Sequence, residues 1–150
     1  MSSGEARYVG FWVRVAASLI DTVLLGLVIY PVAYAIYGAA YFEVSGKLVQ
    51  GPADFLLQYV FPLIVIILFW VYRSATPGKM WLGAKIVDAE SLGRPARWQW
   101  VVRYLGYYVS LLTLCLGFFW VGWDRRKQGF HDKLARTVVV YEDSLEESAP

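Results

Sequence analysis

Charged residues are scarce in this chain of 150 residues: they make up 17% of it, whereas hydrophobic residues make up 58%. A soluble domain averages about 25% charged and about 45–50% apolar residues. The positive mean hydropathy of +0.46 likewise indicates a chain that is more apolar than a soluble domain. The composition therefore predicts an integral membrane protein, and we assign residues 1–150 to a single domain.

Cysteine and histidine are also rare, with one of each, Cys115 and His131. An intrachain disulfide is excluded because Cys115 has no partner. We find neither the ligand spacing of a metal site nor a Ser–His–Asp or Cys–His set, so we expect no metal, no cofactor and no enzymatic activity. The formal net charge of only +2 gives no support for a nucleic-acid partner.

Three long apolar runs carry few or no charges, at about residues 11–42, 55–72 and 98–123. A bilayer core of roughly 30 Å is crossed by about 20 apolar residues in a helix. Trp12 and Trp123 are among the aromatic residues near the ends of these runs, where amphipathic rings favour the headgroup region. The first two runs predict transmembrane helices, and the third is a further hydrophobic region.

The positions of lysine and arginine predict the orientation. Segment 73–103 and the tail that follows residue 123 are rich in both, whereas loop 43–54 has only Lys47. Because cytoplasmic loops carry the excess of positive charge, we expect both termini in the cytoplasm of a bacterial cell, with the chain crossing its cytoplasmic (inner) membrane more than once. Three full spans would instead place the basic tail outside.

Two short β-branched segments, residues 85–88 and 137–141, predict strands. Pairing satisfies their backbone groups, but it requires both strands on one side of the membrane. We therefore expect region 98–123 to enter and leave by the same face. It forms either a re-entrant or short helical hairpin that breaks near residues 111–117, or an interfacial helix followed by a short inserted stretch. Three simple spans are the alternative.

The predicted fold class is thus an all-α integral membrane protein with two transmembrane helices, the returning third region and a small two-stranded β patch in the cytoplasm. The tail, residues 142–150, is acidic and is expected to be flexible.

Two opposite charges lie in the first apolar run, Arg14 and Asp21. Seven residues separate them by about 10.5 Å along a helix, which is too far for a salt bridge. An aspartate at the centre of a membrane helix costs about 2.5–3.5 kcal/mol, so Asp21 should face protein and not lipid. Arg73 and Arg103 are its candidate partners, and Asp124 is the candidate partner of Arg14.

Several other polar residues are expected at the membrane surface. Pro77 after Thr76 predicts the start of a short interfacial helix whose Lys79 contacts lipid headgroups. The basic residues Arg125, Arg126 and Lys127 form a cluster that we also expect to contact headgroups. His131 belongs to the turn before the second strand, with a pH-sensing role as the alternative.

Four segments together resemble a known family: residues 8–21, the Thr-Pro-Gly-Lys of 76–79, the Lys-Ile-Val-Asp of 85–88, and residues 123–140. In this order they resemble the RDD family of small membrane proteins, which is named after an arginine and two aspartates. Arg14 and Asp21 match the first two of these. We assign the second aspartate to Asp124, with Asp132 as the alternative.

The resemblance implies an association with transport, since some members of the family are described as cation/proton antiporters, and it implies no catalytic activity. One hypothesis is therefore transport of a small cation or proton, with Asp21 as the carrier carboxylate. The other is a non-catalytic membrane subunit or scaffold that docks a partner protein through its strands and basic segments. In either case Asp21 could instead be part of a structural ion pair. Besides the bilayer, we expect a homo-oligomer or a membrane-protein partner.

Overall fold

A computed structural model describes residues 5–43 and 46–147, so the last three residues of the predicted flexible tail lie outside the described part. Two helices are long and apolar enough to cross a membrane: α1, Phe11–Tyr37, and α2, Pro52–Arg73. Of the most hydrophobic window of each helix, only 11% and 6% is buried within the protein. Most of their surface is thus available to lipid or to other membrane helices.

Glycine and proline set the limits of these helices. Gly38 ends α1 with a φ of 72°, and its N–H donates to the Tyr34 carbonyl at 2.8 Å. Pro31 lies inside α1 without ending it. In α2 a π-helical turn, Leu56–Val60, ends two residues before Pro62, where the proline ring removes a backbone donor.

A buried carboxylate, Asp54, organises the connection between α1 and α2. The Tyr41 hydroxyl donates to Asp54 at 2.6 Å and the Gln50 N–H donates to it at 2.8 Å. The Asp54 N–H in turn donates to the Tyr37 hydroxyl at 2.9 Å. Uncharged donors therefore hold this aspartate, which the sequence analysis did not single out.

The predicted strands are confirmed. Strand β1, Ala84–Asp88, pairs antiparallel with β2, Thr137–Tyr141, with Ile86 opposite Val139. On its other side β2 is bridged by Tyr8. We call residues 74–96 and 124–147 the strand layer; it also contains the short helices α3, Pro77–Trp81, α6, Phe130–Leu134, and α7, Glu142–Glu147. Its core contains Ile86 and Val139.

The third hydrophobic region is bent, as predicted. Helix α4, Arg97–Leu112, meets the short α5, Leu116–Phe119, whose continuation to Gly122 makes an angle of 112° with α4. Leu114 and Cys115 at the bend are left-handed, with φ of 53° and 63°. Because β1 precedes this region and β2 follows it, the strand pairing brings its two ends close together. The region is therefore not a straight helix from Arg97 to Gly122.

Helices α4 and α6 pack closely because Gly106 of α4 has no side chain at their contact. A Cβ on Gly106 would lie 2.7 Å from the Cα of His131. Only glycine therefore permits this packing, which brings the α4 residue Arg103 next to the first turn of α6.

Candidate functional site: a buried ion cluster

One fully buried carboxylate, Asp132, joins three helices. Its Oδ2 lies 2.6 Å from Nη1 of Arg14 on α1, and its Oδ1 accepts a hydrogen bond from Nη1 of Arg103 on α4. The Gly129 N–H donates to Oδ2 at 2.9 Å, which places the carboxylate at the start of α6. Asp132 therefore links the membrane helix α1 to the strand layer.

Arg14 is fixed by backbone as well as by charge. Its Nη2 donates to the Lys127 carbonyl at 2.5 Å, and its Nε donates to the Val9 carbonyl at 3.1 Å. Only 11% of its side chain is exposed. Arg14 thus points into the protein, where it closes the turn before α6.

Arg103 is completely buried and lies between rings and a hydroxyl. Its Nη1 also donates to the Thr137 hydroxyl at 2.7 Å, and its guanidinium lies 5.7 Å from the Trp70 ring and 5.9 Å from the Tyr107 ring. Its Nε and Nη2 are buried and make no well-formed hydrogen bond within the described residues, although the Tyr107 side chain also interacts with the guanidinium. Arg103 therefore has spare donor capacity.

The charges around Asp132 control its protonation. Burial alone would raise the pKa of the Asp132 carboxyl, but Arg103 and Arg14 outweigh burial and hold the pKa well below its ordinary value. Burial lowers the pKa of the neighbouring His131 to about 3, and the positive charges of Arg103 and Arg14 lower it further. Asp132 is thus ionised and His131 neutral near neutral pH.

Asp21 has a different partner from those predicted. Its Oδ1 accepts a hydrogen bond of 2.7 Å from the Gly78 N–H in the first turn of α3. A Cβ on Gly78 would lie 2.1 Å from the Ala17 carbonyl oxygen, so the backbones of α1 and α3 meet here. Neither Arg73 nor Arg103 binds Asp21, because α3 occupies the space beside it.

The predicted pairing of Arg14 with Asp124 is wrong. Asp124 instead forms a salt bridge of 2.6 Å with Lys133 and accepts the N–H groups of Arg126 and Gln128 at 3.0 and 3.1 Å. The turn after Asp124 directs its carboxylate to these local donors. The aspartate that binds Arg14 is Asp132, the alternative that the resemblance left open.

The residues predicted to contact headgroups are in three different environments. Lys79 is buried and lies beneath α1, which contradicts its predicted position at the surface. Arg126 and Lys127 bind carbonyl oxygens of the protein, those of Ala89 and Gly122. Arg125 is exposed, so its contact with headgroups stays a prediction.

Gln99 is a positioning residue that no sequence motif indicated. Its Nε2 donates to Asp88 at 2.8 Å and to the carbonyls of Ala135 and Arg136, both at 3.0 Å. Hydrogen bonds from Ser91 and from Gln99 hold the pKa of Asp88 at about 2. Gln99 thereby fixes α4 to one end of the strand pair, where Asp88 of β1 lies opposite Thr137 of β2.

Ser110, His131 and Asp132 lie in series, with 3.5 Å between Ser110 Oγ and His131 Nδ1 and 3.5 Å between His131 Nε2 and Asp132. A nucleophile and its base are ordinarily about 2.6–3.2 Å apart. Ser110 is fully buried, and the Asp132 carboxylate already forms salt bridges with two arginines. This series therefore gives no basis for a hydrolytic site.

Two neighbouring cavities adjoin the cluster. The first, of about 380 Å³, is lined by Arg14, Lys79 and Arg103 together with apolar residues of α1 and α5. The second, of about 440 Å³, is lined by Asp21 and Lys79. Within residues 5–43 and 46–147, no three His, Cys, Asp or Glu side chains are grouped as a metal site would require.

Two helices of spanning length and a returning hydrophobic region define a membrane protein. The model of the RDD family matches residues 8–136, which is most of the chain, so the protein belongs to the RDD family.

Similar proteins are known from two bacteria. The chain is 42% identical to the uncharacterized protein RP437 of Rickettsia prowazekii over 74 residues, which are 49% of this chain and 40% of RP437. In Bacillus subtilis it is 28% identical to the uncharacterized protein YxaI over 150 residues, covering 88% of this chain and 96% of YxaI. It is 29% identical to the uncharacterized membrane protein YteJ over 141 residues, covering 90% of this chain and 82% of YteJ. No solved structure matches it.

Proposed function

We propose that this protein is a non-catalytic membrane subunit whose strand layer lies in the cytoplasm and docks an acidic segment of a membrane-protein partner. The observation that carries the proposal is a groove of about 480 Å³ beside β1. Arg73, Lys85 and Arg94 line it, and Glu142 is the one carboxylate among its described lining residues. An acidic segment complements this charge.

Two of these cations are free for a partner. Lys85 forms a salt bridge of 3.0 Å with Glu142, whereas Arg73 and Arg94 are exposed and make no salt bridge within the described residues. The edge of β1 is already covered, because the Ile86 N–H donates to the Ser74 carbonyl at 2.7 Å. The groove therefore suits side chains of a partner more than an added strand.

The buried ion cluster supports a structural role for the charges of α1. Asp132 is bound by two arginines and a backbone N–H, and Asp21 is bound by the Gly78 N–H. Each carboxylate ties α1 to the strand layer. In this proposal the cluster keeps the docking groove at a fixed position relative to the membrane helices.

Transport of a cation or proton is the second candidate, because Asp21 lines the second cavity. The charges oppose it: Lys79 lines the same cavity, and Arg14 and Arg103 line the neighbouring one. A cation entering either space would meet a surplus of positive charge. We therefore rank the docking subunit first.

The docking test is co-purification of a tagged chain from its own cells in mild detergent. We expect Arg73→Glu with Arg94→Glu to lose a partner polypeptide that the wild type retains, at equal protein abundance. The matched control is Arg97→Glu, which reverses an exposed arginine outside the groove. Retention of every partner by the double variant contradicts the proposal.

A flux assay on the purified chain in liposomes separates the two candidates. Transport predicts cation or proton flux in the wild type that Asp21→Asn abolishes without changing protein abundance. The docking proposal predicts no flux in either protein and a lower abundance of Asp21→Asn, because the bond to Gly78 is weakened.

A further inference from the structure

The first cavity beside the ion cluster carries an unusual set of charges. Three cations line it, Arg14, Lys79 and Arg103, and no carboxylate is among its described lining residues. His131, which also lines it, is neutral because burial lowers its pKa to about 3. The charged side chains that line the cavity are therefore all cations.

The protein does not neutralise this charge internally. Arg14 and Arg103 share one carboxylate, Asp132. Lys79 makes no salt bridge within the described residues, and burial lowers its pKa although the charges of Tyr107 and Asp21 oppose this. An unpaired buried cation is costly, so a bound anion would stabilise the site.

Unused donors accompany the surplus charge. Arg103 is completely buried, lines the cavity, and leaves Nε and Nη2 without a hydrogen bond among the described residues. Together with the Lys79 ammonium these groups form a set of donors that no carboxylate binds, although the Tyr107 side chain interacts with Arg103. Phosphate oxygens fit such a set, because guanidinium and ammonium groups bind them through charge-assisted hydrogen bonds.

Most of the remaining cavity wall is apolar, with the hydroxyls of Ser18, Thr22 and Tyr107 among it, and it reaches the lipid-facing surface. Val15, Leu19 and Phe119 line it, and Leu19 and Phe119 are 62% and 50% exposed on the membrane helix and on α5. Apolar walls stabilise acyl chains because they remove apolar surface from water, and they give a small hydrophilic anion no such stabilisation. The ligand should therefore be both anionic and apolar.

We propose that this cavity binds an anionic phospholipid, with the phosphate against Lys79 and Arg103 and the acyl chains along α1 and α5. The site differs from the headgroup contacts of an exposed residue such as Arg125, because its cations are enclosed by protein. Bound lipid would fill the space between α1 and the returning hairpin.

The wild-type chain provides the first test, because Cys115 is the only cysteine and lines the cavity. In detergent, added dioleoylphosphatidylglycerol should slow alkylation of Cys115 by N-ethylmaleimide, whereas dioleoylphosphatidylcholine should not. Equal rates with the two lipids overturn the proposal. Protection by inorganic phosphate alone at the same concentration also overturns it, in favour of a free-anion site.

Native mass spectrometry with the same lipids provides the second test. We expect Lys79→Met to bind phosphatidylglycerol about fivefold more weakly, since one basic residue contributes about 1 kcal/mol near an anionic lipid. Arg97→Gln, at an exposed arginine outside the cavity, should bind like the wild type. Unchanged binding by a folded Lys79→Met, checked by circular dichroism, contradicts the assignment; if this variant does not fold, the alkylation rates of the wild type decide.

Discussion

The two buried aspartates at the two ends of the membrane helices are held in opposite ways. Asp54, between α1 and α2, is held by uncharged donors, the Tyr41 hydroxyl and the Gln50 N–H. Asp132, in the strand layer, is held by two guanidinium groups from separate helices. Loss of Asp54 leaves neutral groups unpaired, whereas loss of Asp132 leaves buried charges unpaired. The identity of the partner therefore sets how much each carboxylate contributes to stability.

The largest expected effect is that of Asp132→Asn. Breaking a buried ion pair by removal of one partner costs about 3–5 kcal/mol, because the remaining charge has no counterpart. Asp54→Asn keeps a polar acceptor among neutral groups and should cost about 1–2 kcal/mol. Thermal unfolding in detergent measures both. Equal losses for the two variants would remove the distinction between the two ends.

A second expected effect concerns the contact that holds Asp21. Gly78→Ala should destabilise the protein by about 2–3 kcal/mol, because the new Cβ overlaps the Ala17 carbonyl and separates α3 from α1. Gly122→Ala is the matched control, since a Cβ there meets nothing within 4 Å. Unfolding midpoints of the two variants should differ clearly. Similar midpoints would mean that α1 and α3 are not in contact.

The third effect is a dependence of stability on pH. The pKa of His131 is about 3 in the folded protein and about 6.5 when unfolded. Between these two values the unfolded chain binds a proton at His131 and the folded chain does not. The contribution of neutral His131 to the free energy of unfolding should be fully present above about pH 6.5. It should fall by up to about 1.4 kcal/mol per pH unit as the pH drops towards 3. His131→Gln should have a shallower slope between pH 6.5 and 5. Parallel curves would contradict the burial of the imidazole.

The smallest effect is expected at the pair of Asp124 and Lys133, in which the lysine is exposed. The Lys133 side chain is 42% exposed, so its salt bridge of 2.6 Å is screened by solvent. Lys133→Met should change the free energy of unfolding by less than about 1 kcal/mol. A loss comparable to that of Asp132→Asn would show that Asp124 is the anchor after all.

The sequence was sufficient for the fold because its signals are local. Long apolar runs predicted the two membrane helices, and β-branched residues predicted strands at 85–88 and 137–141. Requiring the strands to pair then predicted the returning third region, which breaks at the left-handed Leu114 and Cys115.

The site was predictable only in part, because its partners are distant in sequence. The need to shelter Arg14 and Asp21 followed from the cost of charge in lipid, but 118 residues separate Arg14 from Asp132. No spacing rule selects Asp132 over Asp124 across that distance. The Asp21 partner is a backbone N–H, that of Gly78, which a search for a cation could not find.

The most direct test of the account is a double-mutant cycle between Arg14 and Asp132, with Arg14→Met, Asp132→Asn and the double variant unfolded thermally in the same detergent. Because the two side chains are 2.6 Å apart and buried, we expect a coupling free energy of about 2–3 kcal/mol. The double variant should then be less destabilised than the sum of the single variants. Strictly additive effects would contradict the claim that this pair fastens the strand layer to α1.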